Sequence, residues 1–232
     1  MGSPLNLRHI TFIVLLVVLV FHGLNVHAQE SELFIGASSS LEHVDLTFGE
    51  GNNVSSRTNP ELLGFSIMVD LTFNINRTLR VTSGIGYSQK GYEYGYNFIF
   101  NDPNDPFIPN KTSVLIHFVR VPFLVGFRII KKRFDIIPSA GLQFEFLVKK
   151  TEKTIYEDGS MKESDLSTGQ YASLWPSVVV RIAFEYAFHN KLKVDIIPFA
   201  YATSLSYDGH PDSRIITQSV CWGVKAGISY KL

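Results

Sequence analysis

The sequence predicts an all-β chain, a transmembrane antiparallel up-and-down β-barrel of about eight strands. Three observations predict it. Apolar and polar residues alternate with period two along most of the chain. Short and long polar connections alternate between these runs. The polar face is made of small residues rather than of the charges a soluble sheet would show to water.

The first 28 residues stand apart. Arg8 and His9 precede an apolar run from Ile10 to Phe21, and the stretch closes on Val26-His27-Ala28. A basic start, a short apolar core and small residues before a cut describe a secretory signal peptide. The run is too short for a spanning helix, which needs about 20 apolar residues. The expected organisation is a leader over 1–28 and one barrel domain over 29–232, beginning at Gln29.

Composition narrows the class further. Formal net charge is zero, which gives no electrostatic case for nucleic acid. Charged residues make up 18% of the chain, below the about 25% of ordinary soluble domains. Aromatic residues reach 13%, which suits a surface that touches something other than water. Cys221 is the single cysteine, so no internal disulfide forms, and its place in a strand pattern makes it a packed small side chain.

The strands follow in order. The weaker run Leu33–Phe48 comes first. Leu63, Phe65, Ile67, Val69, Leu71, Phe73 and Ile75 then form one face of a strand against Gly64, Ser66, Met68, Asp70, Thr72 and Asn74. Leu79–Tyr87, Leu115–Ile129, Phe134–Val148 and Leu174–Phe188 repeat the scheme. Leu192–Tyr207 is weaker, and Val220–Leu232 is the cleanest of all. Between them Asn76-Arg77-Thr78, Lys131-Lys132-Arg133 and His189-Asn190-Lys191 are tight turns. Gly49–Pro60, Asn101–Asn110, Thr151–Gly169 and Asp208–Ser213 are longer. That strict alternation is the pattern of outer-membrane barrels, with short periplasmic turns and long outer loops, and it puts both termini in the periplasm.

A soluble lipocalin-like barrel shares the alternation. It would fill its wet face with Lys, Glu and Asp, whereas Gly64, Gly84, Gly86, Gly126, Gly141, Gly223 and Gly227 lie here. Small residues fit a narrow lumen, so the bulky apolar face points to lipid. Pro122, Pro138, Pro176 and Pro198 fall inside strands, where each removes a ladder hydrogen bond and implies a bulge or local opening. Beyond Gly91 the aromatic parity changes, which a one-residue bulge at Lys90–Gly91 would explain.

Ser83-Gly84-Ile85-Gly86-Tyr87-Ser88-Gln89-Lys90-Gly91-Tyr92 resembles a hallmark of the outer-membrane β-barrel family labelled porin-like or PorT-like, typical of Bacteroidota. Val119-Arg120-Val121-Pro122-Phe123-Leu124-Val125 and Ile137-Pro138-Ser139-Ala140-Gly141 resemble that family's following strands, in order. The resemblance implies an eight-stranded barrel in the outer membrane and no shared catalytic residues; one member group serves in protein secretion. The end of the chain resembles the barrel assembly signal: Gly227, Tyr230 and the terminal Leu232 match, while Ala226 and a final Leu depart from the usual polar residue and Phe. The implied partners are outer-membrane lipid and the barrel assembly machinery.

Candidate chemistry is sparse. Asp70, Asp135, Glu145, Glu185 and Asp195 face Arg80, Arg120, Arg128, Arg181, Lys193 and Lys225 across the expected lumen. These charges read either as an ion path or, better, as an ion-paired filling. His43 with Asp45, and Ser206, Asp208 and His210, supply acid–base residue types without a spacing that ties them together. No enzyme, cofactor or metal site is expected, since scattered His without a spaced pair is a poor ligand set. The aromatic run Tyr92, Tyr94, Tyr96 and Phe98 belongs to a hairpin, expected to be the longest, that should rise above the membrane. These residues are candidates for docking a protein partner at the outer loops; a headgroup girdle with cross-strand packing is the competing reading. The function expected is therefore a structural or interaction platform of the outer membrane. A narrow pore or transport accessory is the alternative, and an outer-membrane enzyme stands third.

Overall fold

The computed structural model describes residues 31–50, 53–56, 63–95, 109–131, 133–156, 158–165, 174–210 and 213–232. The leader expected over 1–28 lies outside them. Eleven strands are present among the described residues: β1 Glu32–Glu50, β2 Asn53–Ser56, β3 Gly64–Asn74, β4 Leu79–Gly95, β5 Pro109–Phe127, β6 Ile129–Lys131, β7 Phe134–Tyr156, β8 Met161–Asp165, β9 Leu174–His189, β10 Leu192–His210 and β11 Ser213–Lys231. Eight of them, β1, β3, β4, β5, β7, β9, β10 and β11, pair antiparallel with their neighbours in chain order, and β11 pairs back with β1. The barrel is closed. The short strands are local additions: β6 resumes β5 after a break at Arg128, while β2 and β8 fold back on the far ends of β1 and β7.

The register fixes the barrel's size. One hydrogen-bonded row runs Phe34, Thr72, Thr82, Leu124, Gly141, Val179, Tyr201, Cys221 and returns to β1 at Val44, ten residues beyond its start. Eight strands staggered by ten residues tilt by about 40° and enclose a backbone cylinder about 16 Å across. Side chains fill most of such a lumen and leave no room for a bulk-water channel. At Gly141 the wall is so close that a Cβ would run into the Phe123 carbonyl oxygen, so only glycine fits that inner position.

The faces are inside out relative to a soluble domain. Val180 is 54% exposed and Val69 47%, whereas Glu145 is 0% exposed. On β11, Trp222 and Tyr230 both point outward, eight residues apart, which spans about 20 Å at this tilt. With the stagger taken into account, Phe65, Tyr87 and Phe144 lie near the level of Trp222, and Phe127, Phe184 and Tyr186 near that of Tyr230. Two aromatic girdles thus bracket an apolar band, as lipid requires.

The turns and prolines behave as their chemistry dictates. Asn76 Oδ1 accepts from the Thr78 and Leu79 amides at 2.8 and 2.7 Å, closing the β3–β4 turn from within. Pro122 and Pro198 open the ladders beside them: β4–β5 pairing lapses between Ser83↔Phe123 and Gly86↔Arg120, and β9–β10 pairing between Ile196↔Phe184 and Phe199↔Arg181. The bulge expected at Lys90–Gly91 is not there. Pairing of β4 with β5 runs from Leu79↔Phe127 to Gly95↔Lys111 in constant register. The extra residue sits on β7 instead, where His117↔Lys149 is followed by Phe118↔Leu147 and Val148 is left over.

Candidate functional site

The only dense chemistry among the described residues is the filling of the lumen, and it is layered. At the turn end, Arg80 makes a bidentate pair with Glu185, its Nη2 donating to Oε2 at 3.0 Å. Lys193 reaches Glu185 at 3.4 Å and Asp135 at 3.6 Å, and Arg128 meets Asp135 at 2.8 Å. Next comes Lys225 with Asp70 at 2.5 Å, the latter also accepting from Ser38 Oγ at 3.0 Å.

Farther toward the loop end lies the tightest group. Arg120 donates from Nη1 and Nη2 to the two carboxylate oxygens of Glu42 at 2.6 and 2.9 Å, and from Nε to Glu145 at 2.9 Å. Tyr201 Oη accepts from Arg120 at 2.9 Å and donates to Glu42 at 2.8 Å. Lys90 closes the set, 2.5 Å from the other oxygen of Glu145. Five strands, β1, β4, β5, β7 and β10, thereby meet at one point across the lumen. Above it Val114, Ile116, Phe118, Leu147 and Trp175 form a buried apolar cluster.

The interior charges expected from parity all face the lumen; Glu42 and Lys90 were missed. Glu42 continues the inward parity of Ser38 and Ser40, and Lys90 that of Gly84, Gly86 and Ser88, so the signal existed in both strands. The expected bulge at Lys90–Gly91 masked the second. Cys221 is buried with the Ser219 hydroxyl at 3.3 Å, as a packed side chain.

Gly227 faces inward, whereas Tyr230 and Leu232 face outward at the turn end. Tyr92 and Tyr94 lie on β4 opposite Val114 and Thr112, but their side chains, and all of Tyr96 and Phe98, are outside the described residues. His43 packs against Trp222 in a tilted ring contact, with centroids 5.0 Å apart, on the outward face. Asp45 pairs by its backbone with Val220; Ser206, Asp208 and His210 lie at the far end of β10, and of these side chains nothing is described. Among the described residues no group of His, Cys, Asp and Glu could hold a metal ion.

A closed eight-stranded barrel with an apolar outer band, two aromatic girdles and an ion-paired lumen defines a transmembrane β-barrel protein. The family model described as outer membrane protein beta-barrel domain matches residues 27–231, and the chain belongs to that family. Its location is the outer membrane. Among solved structures it is similar to Neisserial surface protein A, at 11% identity over 88% of this chain and 100% of that chain, TM-score 0.45. OprG from Pseudomonas aeruginosa matches at 9% identity over 89% and 97%, TM-score 0.49. Ail of Yersinia pestis, in complex with the heparin analogue sucrose octasulfate, matches at 11% identity over 85% and 99%, TM-score 0.36. No curated protein matches the sequence.

Proposed function

We propose that the protein is a closed, non-conducting platform of the outer membrane that presents its long strand ends and loops to a protein partner. The observation behind this reading is the group of Glu42, Arg120, Glu145, Lys90 and Tyr201 under its apolar cluster, which ties five strands together across a lumen about 16 Å wide at the backbone. An open path for ions would have to break buried ion pairs and wet an apolar layer.

In this reading the short turns and both termini face the periplasm. Residues 1–28 are removed as a leader, Gly227, Tyr230 and Leu232 serve the assembly machinery, and Tyr92, Tyr94, Tyr96 and Phe98 contribute to the docking end. The chain carries no catalytic activity. The secretion-accessory role of PorT-like barrels is a narrower form of the same reading and rests on the motifs of β4, β5 and β7.

Refolded protein in planar bilayers should show no steady openings of large conductance. Such openings would reject the platform in favour of a narrow pore. The intact mass of protein purified from membranes should correspond to a chain beginning at Gln29; a retained Met1 overturns the leader.

A further inference from the structure

The two halves of the lumen differ in how far water reaches them. Side-chain exposure in the turn-end half is 30% at Glu32, 17% at Arg128 and 13% at Asp70, with Arg80, Asp135, Glu185, Lys193 and Lys225 at 5–9%, against 0–4% for Glu42, Glu145, Arg120 and Lys90. The more open, turn-end half contains a small cavity of about 30 Å³ whose lining includes Ser38, Asp70, Arg181, Glu185, Asp195 and Ser229. Three sealed polar atoms among these residues have no protein partner: Asp70 Oδ1, Asp195 Oδ1 and Arg181 Nε. A fourth such atom, Ser88 Oγ, does not line the cavity.

A buried carboxylate oxygen or guanidinium N–H left unpaired is costly, so these three atoms together call for a ligand. They are two acceptors and one donor. A water molecule is their complement, with two hydrogens to give and a lone pair to accept. The cavity has room for about two waters at ~10–15 Å³ each. We infer that the turn-end half of the lumen is a hydrated blind chamber, in which ordered water bridges Asp70, Asp195 and Arg181 and exchanges past the Arg128 and Glu32 end.

The same geometry gives Gly227 a role inside the barrel. A Cβ at that position would lie 2.7 Å from Asp195 Oδ1 and 3.0 Å from Ser38 Cβ. Glycine there keeps the open side of the Asp195 carboxylate clear for its water, independently of any reading by the assembly machinery.

The chamber is tested apart from the platform reading, because conductance probes the loop-end closure and the following experiments probe the turn-end half. A crystal structure of the refolded wild-type barrel that resolves solvent should place water within hydrogen-bond distance of Asp70 Oδ1, Asp195 Oδ1 and Arg181 Nε. A direct Arg181–carboxylate bond with protein atoms filling the space overturns the inference. Water–protein cross-relaxation in the refolded barrel should reach protons of Ser38 and Gly227, which border the chamber, and not those of Phe118 in the apolar layer. No transfer at Ser38 and Gly227 overturns the hydrated chamber, and transfer at Phe118 as well overturns its blind upper end.

Discussion

Glu145 shows what a single residue does in this fold. It is fully buried, and its two oxygens accept from Arg120 Nε, Lys90 Nζ and, at 3.1 Å, Gln143 Nε2. Desolvating a carboxylate is tolerable only because every neighbour answers it. Arg120 is the hinge of that balance, since one planar guanidinium serves Glu42 and Glu145 at once. Arg120→Met would strand Glu42 and Glu145 with Lys90 as the remaining cation of the group, and breaking a buried pair in this way costs about 3–5 kcal/mol. The expected outcome is a clear drop in the urea midpoint of the barrel unfolded from lipid vesicles. Arg120→Lys should recover little, because an ammonium cannot reproduce the bidentate fork onto Glu42. Unchanged midpoints for both variants would show that the group is wetter than its burial implies.

At the scale of the strand, period-two alternation carried nearly the whole fold. The strand count, the inward and outward faces and the tight turns were all legible because lipid outside and a narrow lumen inside leave each position one acceptable chemistry. What was not legible depends on contacts between strands. The surplus residue of β7 at Val148 has no mark in its own sequence; it follows from how Phe118 and Leu147 pack together inside. The apolar filling at the loop end was likewise hidden, since Val114, Ile116 and Phe118 interleave with outward apolar residues and blur the alternation of β5. Face assignment gives the sharpest element-level test. Arg at Val69 or Val125, both outward and between the girdles, should cost about 2–4 kcal/mol in lipid. Arg at inward positions is a poor control: Thr72 lines the small cavity beside Arg80, Arg181 and Lys193, and Ser66 is buried 3.5 Å from Arg120 Nη1, so a further cation would crowd either site. Val69→Leu and Val125→Leu, which add no charge, should leave the barrel about as stable as the wild type. No loss from Arg at either outward position would mean the barrel is inside out relative to this structure.

For the molecule as a whole, everything depends on β11 meeting β1. A barrel left open in lipid exposes a row of unpaired N–H and C=O groups, each costing several kcal/mol. Closure extends along the seam to Leu232: its amide donates to the Leu33 carbonyl at 2.9 Å, and Lys231 Nζ reaches Glu32 at 2.7 Å. Tyr230, outward and 46% exposed, sits where an aromatic ring lies at the headgroup boundary with its hydroxyl wet. Deleting Tyr230–Leu232 removes both the last pairs of the seam and the residues proposed as the assembly signal. It should leave the protein out of the outer membrane, read as loss of the faster-migrating unboiled band. Tyr230→Asp with Leu232→Asp keeps the backbone pairs and changes only the outward face, so the two variants separate seam from signal. Failure of the deletion alone assigns the effect to closure, and failure of both shows that the outward residues are required as well. Ser229→Thr, inward beside Gly36, should insert normally. Wild-type amounts of heat-modifiable barrel from the deletion variant would refute closure through the C-terminal residues.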